Sequence, residues 1–131
     1  AIGKLNKLTV YGDNWPTLDG TAVRDYIHVM DLAEGHISAL EYILKNENKI
    51  ININLGTGVG TSVLELIKTF ERVNHISIPV EFSGRRQGDS CTVIADNNLA
   101  ISSLEWKPSR DIDEMCKDGW KWQLSNPYGY V

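Results

Sequence analysis

Residues 21–36 read TAVRDYIHVMDLAEGH, and this stretch decides the fold. Polar and apolar side chains alternate over residues 23–29, which predicts a β-strand with one buried face. Asp31 follows as a helix N-cap, and Glu34 stands three residues later, where it completes a capping box. Apolar residues then recur at helical spacing over residues 32–44. The stretch therefore predicts a strand that leads directly into a helix.

On either side of this stretch, predicted strands alternate with predicted helices. Strand-like runs occupy residues 8–11, 50–55, 76–82 and 92–95. Capping boxes formed by Ser62 with Glu65 and by Asp111 with Glu114 predict the starts of two further helices. Another helix is expected to begin at residue 96 or 97 and to end near residue 106. This mixture predicts the α/β or the α+β class, and of the two we expect α/β, with a small mixed sheet and helices.

Composition and charge exclude several classes of protein. The chain has 131 residues, 42% of them hydrophobic and 23% charged, which fits one globular domain or a piece of one. Its net charge of -4 disfavours nucleic acid as a partner, because phosphate backbones select basic surfaces. No apolar run approaches the roughly 20 residues of a membrane helix, and no signal peptide is evident. We therefore expect no membrane partner.

Cysteine usage predicts a reducing compartment. Cys91 and Cys116 have neither the number nor the spacing of a disulfide framework. A cytoplasmic location is the resulting expectation.

The glycine loop GTGVG at residues 56–60 follows a predicted strand and precedes a predicted helix. That context suits phosphate binding, but the spacing G-x-G-x-G differs from the dinucleotide fingerprint G-x-G-x-x-G. We interpret the loop as a tight strand-to-helix turn. The three histidines, at positions 28, 36 and 75, are scattered, and no Cys or His pair has the spacing of metal ligands.

The arginines carry the most chemical information. Arg24 lies at the head of a predicted strand, and Arg85 and Arg86 lie in a glycine-bounded loop that ends at Asp89. Guanidinium groups bind phosphate oxygens bidentately, and two arginines from separate segments suit a pyrophosphate. A carboxylate nearby can accept from two sugar hydroxyls. On residue type alone, a solvated surface role remains the favoured interpretation for each arginine.

A family resemblance instead favours a ligand-binding role for some of these arginines. Residues 21–36 strongly resemble the block GTxVRDYIHVxDLAxGH of UDP-glucose (UDP-galactose) 4-epimerases, which belong to the extended short-chain dehydrogenase/reductases. The resemblance continues, in order, with NLGTG and SVL, with RRQGD, and with LEW, WKWQ and NPYGY, at residues 54–58, 62–64, 85–89, 104–106, 120–123 and 126–130. It covers essentially the whole chain, as the C-terminal, substrate-binding portion of the family fold without its Rossmann half.

The resemblance implies a UDP-binding role for six residues. Arg24 and Arg86 match the family's arginines on the UDP pyrophosphate, and Asp89 matches its carboxylate on the uridine ribose. Thr9 and Tyr11 belong to the strand that holds the uracil. Val63 matches an apolar contact to the nucleotide. For Asp25, Tyr26 and His28 we favour structural roles.

The same resemblance implies that the catalytic and cofactor machinery lies outside these residues. The family binds NAD with a G-x-x-G-x-x-G turn, and it uses a Y-x-x-x-K pair with a Ser or Thr to oxidise and reduce the sugar at C4. Neither motif occurs here, since no tyrosine is followed by a lysine four residues later. No catalytic, NAD-binding or metal residue is therefore predicted within residues 1–131, which form one UDP-sugar-binding portion.

Val93 marks a departure from part of the family. It stands four residues after Asp89, where some members carry a bulky tyrosine that crowds the sugar pocket. Loss of a phenol leaves room for an N-acetyl group. We expect the parent protein to accept UDP-N-acetylglucosamine as well as UDP-glucose and UDP-galactose.

Two alternatives stay open. One is another nucleotide-sugar epimerase or dehydratase of the same family, and the other is a stand-alone, non-catalytic nucleotide-sugar-binding domain. The resemblance implies that the parent is a homodimer whose contact lies mainly outside this chain. We also expect the isolated chain to be marginally stable or self-associated, because an apolar helix face would lack its cover.

Overall fold

The computed structural model describes residues 1–46 and 50–129 of the chain. Tyr130, part of the NPYGY resemblance, lies outside the described residues. Within them the strands are β1 (Leu8–Tyr11), β2 (Val23–Arg24), β3 (Thr61–Ser62), β4 (Val80–Ser83) and β5 (Thr92–Val93). The helices are α1 (Val29–Lys45), α2 (Val63–Asn74), α3 (Asn98–Leu104) and α4 (Ile112–Ser125). This confirms the predicted α/β class.

Two small sheets carry four of the predicted site residues, which are Thr9, Tyr11, Arg24 and Val93. Strand β1 pairs in parallel with β4, so that Thr9 lies beside Glu81 and Tyr11 beside Ser83. Strand β2 is central in the other sheet, antiparallel to β3 and parallel to β5. That register places Arg24 between Thr61 and Val93. The three-stranded sheet is therefore mixed, as the sequence predicts, whereas the β1–β4 sheet is parallel.

Two of the three predicted capping boxes are present. The Ser62 hydroxyl accepts from the Glu65 amide, and the Asp111 carboxylate accepts from the Glu114 amide, with each glutamate returning a bond to the cap. The predicted box at the start of α1 is wrong. His28 caps that helix by accepting from the Met30 amide, and Asp31 lies inside the first turn.

Asp31 is diverted from capping by Arg110. The carboxylate of Asp31 is fully buried, and it accepts from the backbone amides of Ser109 and Arg110 and from the Arg110 guanidinium. Glu34 accepts from the same guanidinium at 2.9 Å. The i, i+3 pair that suggested a capping box instead fastens α1 to the segment that leads into α4.

Two predicted strands are much shorter than expected. A third forms no backbone hydrogen bonds with a neighbouring strand among the described residues. Residues 25–29 do not continue β2, residues 76–79 precede β4, and residues 50–55 join no strand. A β-strand needs a neighbour to receive its backbone hydrogen bonds. Among the described residues no such neighbour pairs with residues 50–55, so their β-branched pattern alone does not produce a strand.

The core is small, and one side of α1 is uncovered. Ala100, Leu104 and Trp106 form the buried cluster, and Leu55 and Tyr42 pack against it. The opposite side of α1 exposes an apolar stripe at helical spacing, which consists of Val29, Met30, Ala33, Ile37, Leu40 and Leu44. Most of the apolar pattern that predicted this helix therefore faces away from the core of this chain.

Candidate functional site

One group of predicted ligand-binding residues gathers at the C-terminal ends of β1 and β4. Alternation along β1 puts Thr9 and Tyr11 on the same face, opposite the buried Val10. The Arg86 guanidinium lies 4.9 Å from the centre of the Tyr11 ring, within the range of a cation–π contact. Its Nε also donates to Asp89 Oδ2 at 3.1 Å. Tyr11, Arg86 and Asp89 thus present an aromatic face, a cation and a carboxylate together.

Thr9 is held at the edge of this group by a different partner. Its hydroxyl donates to Glu81 Oε1 at 3.0 Å, across the β1–β4 pair. The backbone of β1 is fixed by the same pairing, since its ladder runs from Leu8 to Tyr11. A rigid strand end beside an exposed aromatic ring suits a planar base, which needs a stacking surface and fixed backbone groups.

A second group surrounds Arg24 on β2. Arg24 Nη1 donates to the carbonyl of Val23 at 2.8 Å and to that of Cys91 at 3.4 Å. Val93 is its direct neighbour on β5 and is exposed. Arg24 and Val93 both line one open cleft of about 640 Å³, a volume that suits a small ligand.

Val63 lies on the other side of β2, as the first residue of α2. Its amide donates to the Ala22 carbonyl at 3.0 Å, and its side chain is half-buried. The Ser62 hydroxyl donates to Asp19, which also accepts from the amide and hydroxyl of Thr21. Burial by itself raises the pKa of Asp19, but these hydrogen bonds outweigh it and hold the pKa below its ordinary value.

The two groups are joined by the segment that runs from Arg86 to Val93. Asp89, in the first group, and Cys91, whose carbonyl Arg24 contacts, are two residues apart. Their Cα atoms are therefore separated by at most about 7 Å. Five predicted residues, Tyr11, Arg24, Arg86, Asp89 and Val93, border this one segment or belong to it. Thr9 and Val63 lie on the outer flanks of the two groups.

Asp25 organises the loop behind Arg24. Its carboxylate accepts from the Thr57 amide and hydroxyl, at 2.9 and 2.5 Å, and from the amides of Gly58 and Ala95, at 2.9 and 3.2 Å. Burial raises the pKa of Asp25, yet these four hydrogen bonds lower it further than burial raises it. Gly56 permits the approach, because a Cβ there would lie 2.7 Å from Asp25 Oδ2.

The glycine loop therefore has no room for a dinucleotide phosphate. Two of its amides already donate to Asp25, and a third, from Val59, donates to the Thr57 hydroxyl at 3.1 Å. An incoming phosphate would meet the Asp25 carboxylate instead of free donors. The residues present do not fit an NAD site here, in line with the interpretation of this loop as a tight turn.

Residues 1–46 and 50–129 contain neither a candidate metal centre nor a helix suited to a membrane. No group of three or more His, Cys, Asp or Glu side chains is arranged to hold a metal ion. In the same part of the chain, no helix has the length and apolar character needed to cross a bilayer.

Sequence reasoning missed the aromatic partner of the arginine loop. The Arg85 guanidinium lies 3.8 Å from the centre of the Trp15 ring and donates to the side chain and carbonyl of Asn14. These residues are 70 positions apart, and no local pattern pairs them. The turn-forming composition of residues 12–20 was the only signal that this loop is specifically shaped.

The fold and the grouped arginines define a class of protein, the extended short-chain dehydrogenase/reductases. A family model described as GDP-mannose 4,6 dehydratase matches residues 1–119. The chain belongs to that family, within the extended short-chain dehydrogenase/reductases.

The curated proteins that resemble this chain include UDP-glucose 4-epimerases. The chain is 52% identical over 130 residues to the UDP-glucose 4-epimerase of Bacillus subtilis. That alignment covers 99% of this chain and 38% of the relative. The chain thus spans little more than a third of the length of the curated relatives it matches.

Solved structures agree with this likeness. The UDP-glucose 4-epimerase of Bifidobacterium longum, solved in complex with NAD+ and UDP, superimposes with a TM-score of 0.92 at 43% identity. The match covers 98% of this chain and 38% of that one. The UDP-Glc/GlcNAc 4-epimerase of Campylobacter jejuni superimposes with a TM-score of 0.82 at 36% identity, covering 94% of this chain and 37% of that one.

Proposed function

We propose that this chain is the C-terminal, UDP-sugar-binding portion of a UDP-glucose 4-epimerase, an isomerase that interconverts UDP-galactose and UDP-glucose. The observation that carries the proposal is the convergence of Arg24, Arg86, Asp89 and Tyr11 on the segment 86–93. Relatives with that name match this chain over nearly all its length. The bound UDP of the Bifidobacterium longum enzyme supports the ligand class.

Each part of UDP has a chemically suitable partner in this proposal. The Tyr11 ring and the β1 backbone beside Thr9 contact the uracil, and Asp89 accepts from the ribose hydroxyls. Arg86, which begins the 86–93 segment, and Arg24, which contacts Cys91 within it, bind the pyrophosphate, because guanidinium groups bind phosphate oxygens bidentately. Val63 supplies apolar contact at the nucleotide. Because these contacts hold the nucleotide and not the sugar, the sugar can rotate while UDP stays bound.

The reaction itself requires groups beyond these 131 residues. NAD is the cofactor in this proposal, and it supplies the hydride chemistry when bound. Its binding residues and the catalytic Tyr, Lys and Ser or Thr belong to a portion of the protein outside this chain, since the glycine loop here is occupied by Asp25. The role of this chain is to bind and orient the substrate.

Titration of UDP into the chain tests the binding role. We expect calorimetric binding of UDP and much weaker binding of uridine, which lacks the pyrophosphate. R86Q should raise the Kd for UDP by about 10- to 100-fold, the loss expected for a charge-assisted hydrogen bond. R72Q is a matched control, because Arg72 is 61% exposed and paired with Asp113, whereas Arg86 is 62% exposed and paired with Asp89. Equal binding of UDP and uridine would overturn the role of the arginines.

The place of the chain in an enzyme is tested by the coding region upstream of Ala1. A glycine-rich βαβ turn and a downstream Y-x-x-x-K in that region would support the epimerase. A start codon directly before Ala1 would replace it with the alternative of a stand-alone, non-catalytic nucleotide-sugar-binding domain. Turnover of UDP-galactose, measured on the protein translated from that region, would then separate 4-epimerases from other nucleotide-sugar epimerases and dehydratases.

We further propose that the parent enzyme accepts N-acetylated UDP-hexoses, because Val93 borders the Arg24 cleft with a small, exposed side chain. A similar protein is named as a UDP-Glc/GlcNAc 4-epimerase. Steady-state rates on UDP-glucose and UDP-N-acetylglucosamine test the idea. V93Y should lower kcat/KM for the acetylated sugar at least tenfold and leave the plain sugar within threefold, since a steric change of this size is worth roughly 1–3 kcal/mol. Absence of any native activity on the acetylated sugar would contradict it.

The biological setting follows from the proposed activity. It places the protein in galactose metabolism in the cytoplasm, with UDP-galactose and UDP-glucose as its small-molecule partners and neither nucleic acid nor membrane among its ligands. The parent assembles as a homodimer through a surface outside this chain. Light scattering of the parent protein checks the dimer.

A further inference from the structure

We propose that Arg85 and Trp15 together position Arg86, so that the two adjacent arginines divide two tasks between them. Arg85 is a positioning residue that fastens the arginine loop, residues 84–88, to the Trp15 loop, residues 12–20. Arg86 is the residue that meets the ligand. The inference rests on the proposed UDP-binding function and deepens it.

Arg85 and Arg86 contact different parts of the molecule. Arg85 stacks on Trp15 with 3.8 Å between its guanidinium carbon and the ring centre. Its Nε donates to Asn14 Oδ1 at 2.7 Å, and an Nη donates to the Asn14 carbonyl. Its donors are thus directed into the Trp15 loop, whereas Arg86 turns to Tyr11 and Asp89.

The arginine loop needs such an anchor. Residues 84–88 are all exposed, and the turn is closed by one long backbone bond, from the Asp89 amide to the Arg86 carbonyl at 3.3 Å. Exposed loops with few internal contacts sample many conformations. The Arg85 contacts join this loop to the Trp15 loop, whose conformation is fixed by its own hydrogen bonds.

The Trp15 loop is fixed at both ends. Its first residue, Gly12, donates to the Ser83 carbonyl at 2.9 Å, and the Trp15 amide donates to the Gly20 carbonyl at 2.9 Å. Asp19 accepts from Ser62 at the start of α2. Gly12 has a φ of 83°, and a Cβ there would collide with Trp15 Nε1 and lie 3.0 Å from Arg85 Cγ. The loop therefore connects the Tyr11 group to the Arg24 group and closely surrounds the stacked pair.

The structure also indicates which property of Trp15 matters. Its Nε1 is buried and has no hydrogen-bond partner among the described residues. The ring face, in contrast, is covered by the guanidinium. Phenylalanine supplies such a face without the unpaired N–H, whereas lysine in place of Arg85 supplies charge without the planar group. These two substitutions separate stacking from charge.

The experiment combines UDP titration with amide hydrogen exchange on the chain and its variants. We expect R85K to raise the UDP Kd about tenfold and to accelerate exchange in both residues 12–20 and residues 84–89. W15F should stay within about threefold of the native Kd and keep native exchange. W15A should behave like R85K. R86Q should weaken UDP binding while leaving exchange in residues 12–20 unchanged, and R72Q should alter neither.

The outcomes separate this inference from the proposed function. If R85K binds UDP and exchanges like the native chain, the positioning role is overturned while UDP binding stands. If W15F behaves like W15A, the stacked face is not the operative contact and the inference also fails. If the native chain is monomeric and protected against exchange yet binds no UDP, the proposed function fails and the ligand role of Arg86 fails with it. Native exchange in W15A would then overturn the coupling of the two loops as well.

Discussion

At the scale of single residues, the hydrogen-bond donors around each aspartate determine what that aspartate does in the fold. Asp25 has four donors from two separate loops, and Asp31 has four from the segment before α4. Asp89 instead pairs with the exposed Arg86 and remains available to a ligand. Asp25 and Asp31 thus hold backbone segments together, whereas Asp89 pairs with one exposed side chain.

Asp25→Asn is expected to loosen the loop at residues 56–60. The amide retains one acceptor oxygen but places an NH₂ group against backbone donors, which leaves buried donors unsatisfied. We expect the free energy of unfolding to fall by about 1–3 kcal/mol. Urea denaturation measures this, with D13N as the control because Asp13 is exposed. An unchanged midpoint for D25N would show that the Asp25 hydrogen bonds do not hold the loop.

At the scale of elements, the helices α1, α2 and α4 each begin at a residue whose side chain accepts from a first-turn amide. The capping side chain is not always the one that the local pattern suggests. Ser62 and Asp111 cap their helices as the sequence predicts. At α1, His28 takes that role because Asp31 is drawn to Arg110, a residue 79 positions away. A capping box is local information, and a distant cation overrides it.

The buried Asp31 makes the attachment of α1 dependent on pH. Burial raises its pKa, but hydrogen bonds from Arg110 and Ser109 lower it below the ordinary value of 3.8. A carboxylate whose pKa is lowered by folding contributes stability above its unfolded pKa, and the contribution is lost as pH falls through the folded pKa. We therefore expect the free energy of unfolding to decline as pH falls below about 4, by up to about 1.4 kcal/mol per pH unit from this group.

Thermal melts of the native chain and of D31N between pH 6 and pH 2.5 check this expectation. The native Tm should fall more steeply in acid than that of D31N, which lacks the titrating carboxylate. Asp19 and Asp25 also have lowered pKa values, so D31N should keep part of the slope. Identical slopes would mean that Asp31 does not contribute to the acid sensitivity.

At the scale of the whole molecule, the exposed surface is large for the mass. The chain exposes 9051 Å², whereas a compact monomer of 14.7 kDa exposes about 6,900 Å². Part of this exposed surface is apolar, since Ile37 is 59% exposed, Leu40 58% and Leu44 71% on one side of α1. Contiguous apolar patches of this kind promote association.

We accordingly expect the isolated chain to self-associate. Sedimentation velocity at 10 and 100 µM should give a weight-average mass that rises with concentration. L40E, which places a charge in the middle of the α1 stripe, should keep the chain monomeric over this range. L18E is the control, because Leu18 is even more exposed than Leu40, at 107% against 58%, but lies on the Trp15 loop, away from α1. A native chain that stays monomeric, or an L18E variant that dissociates as L40E does, would contradict the role of the stripe.

The helices α2 and α4 were predictable from the sequence because they depend on short-range patterns, whereas the candidate ligand residues were selected by the family resemblance of contiguous motifs. A capping box requires only residues three positions apart, and RRQGD and VRD are contiguous motifs. The α/β class and the turn at residues 56–60 were predicted for the same reason. The identity of these groups as parts of one site came from the resemblance, since spacing along the chain does not reveal proximity.

Only the tertiary structure decided which partners those residues take. It paired Arg85 with Trp15, Arg86 with Tyr11 and Asp31 with Arg110. Within residues 1–46 and 50–129, it also left residues 50–55 without a strand neighbour. It also turned the apolar stripe of α1 away from the core. The physical reason is that stacking, ion pairing and ladder hydrogen bonds join residues tens of positions apart, and such contacts exist only once the chain has folded.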